Sequence, residues 1–166
     1  MINYINKGPG LDSAIMAAGH WAVPVAGIWH TSDDAAVQGI IDTYPLSATQ
    51  KEVTTLIDAY ATSLRDRVTR GISPVEMASW PVKRTEAVAY QASGNAADAP
   101  ILGTEATARG VTLSTIVARV LASAGSLSGL EATIAGVAGK HKDAVRATTT
   151  FAKALSYDWS GGWPDA

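Results

Sequence analysis

Residues 73–93, SPVEMASWPVKRTEAVAYQAS, decide the fold class. Ser73 is a good N-cap, because its hydroxyl can accept from a free amide of the first helical turn, and Glu76 can reach back to the cap's own N–H. Pro74 falls at the first helical position, where a missing N–H costs nothing. A helix therefore starts here. Trp80-Pro81 then places a second proline where it removes a backbone hydrogen bond and crowds the preceding turn, so a kink or division is expected near Trp80. Beyond it Val82, Thr85/Glu86 and Ala89/Tyr90 recur at helical spacing, leaving Lys83, Arg84 and Gln91 to face water.

Upstream, Ser47 to Gln50 has the pattern of a second capping box and opens a helix to about Arg70, with the stripe Val53, Leu56/Ile57, Tyr60, Leu64, Val68 and with Gly71 as its terminal glycine. The two helices are expected to form an antiparallel pair across a tight turn. Closer to the N-terminus, Gly8-Pro9-Gly10 is a turn signal, and residues 1–10 read as a loop or short arm. Leu11 to Ala18 predicts a short helix ending at Gly19. The run HWAVPVAGIWH, residues 20–30, predicts two short strands or one bent edge strand, since Pro24 cannot donate into a central ladder. Ser32 then caps a helix with Asp33 and Asp34 in its first turn and Val37, Ile40/Ile41 and Tyr44 on its apolar face, and Pro45 stops it.

Downstream, residues 93–100 (SGNAADAP) are turn formers, and Ile101 to Arg109 predicts a helix ending at Gly110. Thr112 caps a last tract running to about Tyr157. Ile116, Val120, Leu127, Leu130, Ile134, Val137, Phe151 and Leu155 give it a heptad-like seam. Gly125, Gly129, Gly136 and Gly139 interrupt the seam at about 1 kcal/mol each, which predicts a break over residues 124–129 and a close helix approach at Gly136. The end, YDWSGGWPDA, carries two tryptophans on a glycine-rich tail that must dock on this chain or a neighbour.

The expected fold is mainly α: a small N-terminal α/β segment (helix, short strands, helix) over residues 1–45, then an antiparallel helical bundle with a long, interrupted last helix over 46–159, and a Gly/Trp tail over 160–166. The 166 residues suffice for one domain with a core or for two small modules. A net charge of −2 argues against a nucleic-acid protein. Arg65, Arg67 and Arg70 alternate with Asp66 as a solvated helix face. The absence of cysteine excludes disulfides, thiolate metal sites and a cysteine nucleophile. The first ten residues lack the long apolar core of a signal peptide, and no apolar run approaches about 18 residues, so a soluble protein with neither a leader nor a membrane span is expected. Charged residues make up only 17%, with abundant alanine and a single phenylalanine. Such small-residue helices suit close packing against partners more than a free-standing bundle with a thick polar coat.

The candidate chemistry is sparse. His20, His30 and Asp33 match no metal-ligand spacing. His141 and Asp143 point apart on a helix, which makes His141 a hydrogen-bonded histidine on the seam. No Gly-x-Ser-x-Gly elbow occurs, and Gly136-Val-Ala-Gly139-Lys140 is too short for a phosphate loop. The sequence therefore predicts no catalytic residues, no metal and no cofactor. The residues expected to contact partners are Trp21, Trp29, Trp80, Trp159 and Trp163.

Two segments carry a resemblance. Ile28-Trp29-His30-Thr31-Ser32-Asp33-Asp34, followed by Val37-Gln38-Gly39-Ile40-Ile41-Asp42-Thr43-Tyr44, resembles small tailed-phage tail and tail-fibre-associated proteins, in which a strand ending in tryptophan leads into a V-Q-x-I-I-D-x-Y helix. Ser79-Trp80, Lys83, Glu86-Ala87, Pro100-Ile101-Leu102, Glu105-Ala106, Arg109-Gly110-Val111 and Leu113 are similar to an uncharacterised helical domain of tailed-phage structural and fibre-assembly proteins. The chain departs from that pattern at Pro81. The resemblance implies a phage tail, baseplate or fibre-attachment component, made in the bacterial cytoplasm and carried in the virion. It would bind other tail or fibre proteins and copies of itself, with no nucleic acid or membrane involved. A non-virion fibre-assembly chaperone is the alternative, ahead of a host-directed inhibitor or a small enzyme. No catalytic residue carries over.

Overall fold

The structure, a computed structural model, describes residues 1–165. It is 69% helical, with seven α-helices and one two-stranded antiparallel sheet among the described residues, and a long helix near the C-terminal end. The described residues divide into two compact units, one of residues 1–63 with 135–163, the other of residues 64–134 with 164–165. Residues 46–63 and 135–163 group here with the N-terminal elements, although the cluster those elements bury lies wholly within residues 2–44.

In the first unit, α1 (Pro9–Ala17) begins earlier than the turn signal suggests, because Pro9 occupies a first-turn position where its missing N–H is harmless. Gly8 precedes it at φ 98°, a conformation that costs an L side chain, and a Cβ on Gly10 would overlap the Glu52 carboxylate and the Tyr44 hydroxyl. β1 (Ala22–Val25) and β2 (Ile28–Thr31) form a hairpin with Val25 opposite Ile28. Its two-residue loop has Ala26 at φ 50° and Gly27 at φ 80°, the twist that suits a right-handed ribbon. α2 (Asp34–Thr43) is capped by Asp33, whose carboxylate accepts from Ala36 N, one residue later than the sequence indicated. Ser32 Oγ instead accepts from Trp21 N at 3.2 Å and ties the hairpin's base. Leu11, Ile15, Val37 and Ile41, with Ile2, form the buried cluster, against which Tyr4, Ala22 and Trp29 pack.

α3 (Leu46–Val68) starts before Ser47, so the expected capping box does not form. Gln50 goes elsewhere: its Nε2 donates to Arg146 O and Thr148 O, each at 3.0 Å, at the end of α6 (Leu113–Arg146). Helix ends leave such carbonyls without intrahelical partners, and a side chain from another element supplies the donor here.

In the second unit, α4 (Pro74–Ser93) is capped as read, with Ser73 Oγ accepting from Glu76 N at 3.1 Å and Gly94 left-handed at its end. Pro81 does not divide it. A proline removes one hydrogen bond of a 20-residue helix, and the rest of the ladder continues through it. A 3-10 turn leads into α5 (Pro100–Arg109), which ends at left-handed Gly110 as expected. Ala87, Ala99, Leu102, Ala106, Ile116 and Val117 form this unit's buried cluster.

α6 runs 34 residues without the break expected at 124–129. Its glycines cost about 1 kcal/mol each, which propagation through the remaining turns outweighs. A Cβ on Gly125, Gly129, Gly136 or Gly139 would meet nothing within 4 Å, so the close approach expected at Gly136 does not occur within this chain. The tract breaks instead at Ala147 to Thr150: Thr148 Oγ1 turns back to Val145 O at 2.7 Å, and Thr150 caps α7 (Phe151–Leu155).

Candidate interaction surface

α6 leaves many of its small residues bare and its larger apolar ones only half-buried. An 18-residue window of it has mean hydropathy 1.4 with no more than two charged residues, yet only 11% of that window is buried. The sequence reading, which sought an uninterrupted apolar run, passed over this stretch because serines and glycines dilute it. By length and composition alone the helix could cross a membrane.

A groove of about 910 Å³ lies along the same helix, within the second unit. One wall is the Ile116, Val120, Leu127 and Leu130 stripe of α6, and the other is Met77, Trp80 and Pro81 on α4. Proline at 81 presents an apolar ring here and no donor. Polar groups enter at the sides: Lys83 Nζ lies 2.8 Å from Glu105 Oε2, and Arg109 Nη2 lies 2.6 Å from Glu105 Oε1. The Lys83 ammonium, with Arg109 adding to it, holds the Glu105 carboxyl below its ordinary range. The three charges therefore stay paired as pH falls, and the pairing is lost only once Glu105 itself takes a proton. Arg84 and Arg119 also line the groove and make no ion pair among the described residues. A smaller hollow of about 270 Å³ adjoins it at Val68, Leu127 and Leu130, where Arg65 grips Glu131 through two bonds of 2.8 and 2.7 Å.

The five tryptophans are placed differently from one another. Trp29 stacks on Tyr4 with ring centroids 3.7 Å apart, and its role is to close the hairpin over the first unit's core. Trp159 and Trp163 dock on their own chain: both rings meet Tyr60, and Trp163 Nε1 donates to Trp159 O at 2.8 Å. Trp21 is 48% exposed at the hairpin's base, on the outward face with Val23, Val25 and Ile28. Trp80 is half-buried in the groove wall.

His141 is buried and holds the tail. Its Nε2 lies 2.9 Å from Gly161 O, which can only accept, so that nitrogen carries the proton; the other accepts from the Tyr157 hydroxyl at 2.9 Å. Asp143 is not its partner, since that carboxylate accepts from Arg146 at 3.2 Å. His20 bonds Ser32 Oγ at 3.1 Å, and no group of three or more metal-ligating side chains occurs among the described residues. Replacing His141 by alanine is expected to cost about 2 kcal/mol from two lost hydrogen bonds and to loosen the tail. The check is acrylamide quenching of tryptophan fluorescence, which should rise; unchanged quenching would mean that the indoles hold the tail alone.

Sequence reading missed the groove. Only the Glu105–Arg109 pair, four apart on one helix, had a local signal; Lys83 joins it across 22 positions through the fold. No protein-family model matches the chain, and no curated protein or solved structure matches it either.

Proposed function

We propose that this chain is a tailed-phage assembly protein that works by binding other subunits, as a tail, baseplate or fibre-attachment component. The observation that carries the binding role is α6, whose apolar window is only 11% buried. Its bare positions are mostly alanine, serine and glycine, while Val120, Leu127 and Leu130 stand half-buried along an open groove, and an apolar hollow open to water marks an interaction site. Association with other chains or further copies covers it.

The phage assignment rests on the resemblance, and the quoted residues occupy ordinary helix ends. The Trp29-His30-Thr31-Ser32-Asp33-Asp34 segment is the strand β2 running into the capped start of α2. Arg109-Gly110 is the left-handed end of α5 that releases the chain toward α6. Both are turns that the quoted residues can build: an Asp cap in one, a glycine at positive φ in the other.

The test has two arms. Mass spectrometry of purified particles is expected to find the chain at a fixed ratio to the other tail proteins, whereas absence from particles would turn the reading toward a fibre-assembly chaperone. The isolated chain should sediment well above 17.2 kDa and stay in the aqueous phase when mixed with phospholipid vesicles. Flotation with the vesicles would instead make α6 a membrane element and end the proposal.

A further inference from the structure

We propose that the groove between α4 and α6 receives an acidic amphipathic helix of a partner protein, an inference that rests on the binding role above and names its partner's chemistry. Shape is the first argument. From Ile116 to Leu130 the lining follows α6 for 14 residues, about 21 Å at the helical rise, so the space is a trench four turns long and open to solvent. A compact metabolite leaves most of such a trench unfilled; a helix laid between two helices fills it lengthwise and sets apolar side chains against Trp80 and Leu127. Trp80, half-buried and lining the groove beside Met77 and Pro81, has the character of a central anchor.

Charge is the second argument. The chain as a whole carries −2, yet the groove gathers four cations against two carboxylates, a local surplus of two positive charges. Glu105 accounts for Lys83 and Arg109, which leaves Arg84 and Arg119 on opposite walls without an anionic partner among the described residues. An incoming helix with glutamates or aspartates flanking its apolar stripe would give both guanidinium groups a carboxylate, and a basic helix would meet repulsion from the same groups.

The experiment uses the full chain and two fluorescein-labelled 16-residue helices with one leucine stripe, their polar positions filled by glutamate in one and lysine in the other. Anisotropy is expected to show the glutamate helix binding at least tenfold more tightly, with the difference shrinking as salt rises. Arg84→Glu with Arg119→Glu, two exposed positions, should weaken the glutamate helix at least tenfold and strengthen the lysine helix. Trp80→Ala should weaken both, with the circular dichroism melt confirming that each variant is folded. Equal affinities for the two helices, or binding untouched by the charge reversal, would overturn the proposal. So would sodium octanoate displacing the helix at comparable occupancy, which would make the groove a site for small amphipathic anions. A chain that sediments as a dimer until Arg84 and Arg119 are reversed would show a second copy as the occupant. If the groove fails these tests while the chain is found in particles, the assembly role stands and only the assignment of its partner falls.

Discussion

Lys7→Met is expected to destabilise the first unit by about 2 kcal/mol, or roughly 4–8 °C in melting temperature for a chain of this size. The Lys7 side chain is buried, and its ammonium donates to Ile41 O and also lies 3.4 Å from Tyr44 O, carbonyls at the end of α2. A cation there meets the negative end of the helix dipole, and the same ammonium sits 4.6 Å over the Phe151 ring. Thr49 Oγ1 fixes the backbone beneath it by donating to Lys7 O at 2.5 Å. Burying an ammonium costs several kcal/mol, so methionine, which keeps the stem and drops the charge, recovers part of the loss. The balance is decided by asymmetry: Tyr44 O loses its side-chain donor, and Ile41 O keeps only the long 3.4 Å bond from Tyr44 N. Denaturant unfolding of both proteins checks this. A methionine variant as stable as the parent would mean that the desolvation penalty cancels the cap.

Much of the fold could be read from local chemistry, and its limits share one cause. Ser73 and Gly110 declare helix ends through their own backbone preferences, and each end lies where those preferences put it. The two strands were legible as one of two readings, since Pro24 fixes its own φ and Gly27 alone can take a positive φ without cost, but their pairing as a hairpin was not. Three helix ends are instead completed by side chains far away in sequence: Lys7 for α2, Gln50 for α6 and Glu86 for α5. Periodicity cannot announce such partners, and in Gln50 it misled, since a glutamine three positions after a serine reads as a local cap until the fold offers it better acceptors. The candidate surface follows the same rule. Trp80 was visible as an aromatic residue of unusual context, but the groove it lines depends on α6 continuing past Gly125 and Gly129. Propensity argued against that continuation, and it costs only a few kcal/mol across a 34-residue helix.

Glu86→Ala should be the most damaging single change in the second unit, costing about 3 kcal/mol. α5 opens on Pro100, which has no N–H, after Ala99, which has no side-chain acceptor, so the first amides in need of partners are those of Ile101 and Leu102. Glu86 on α4 takes both, Oε1 from Ile101 N at 3.2 Å and Oε2 from Leu102 N at 3.0 Å, and as an anion it faces the positive end of α5. The residue is 9% exposed, so water cannot readily replace it. Alanine leaves two amides without acceptors and opens a gap beside Ala87 and Leu102, which belong to one buried cluster. Glu86→Gln separates these effects: it fills the space and keeps one acceptor oxygen, but turns an N–H toward the second amide, so it should fall between the parent and alanine. Hydrogen exchange at Ile101 and Leu102 reads the cap directly, and both amides should lose protection in the alanine variant before the rest of α5 does. Because Glu105, which holds Lys83 and Arg109 at the groove, sits one turn further along α5, loosening this end should also weaken binding of the acidic helix. If Ile101 and Leu102 stay protected while stability drops, the loss comes from packing, and α5 does not depend on α4 for its start.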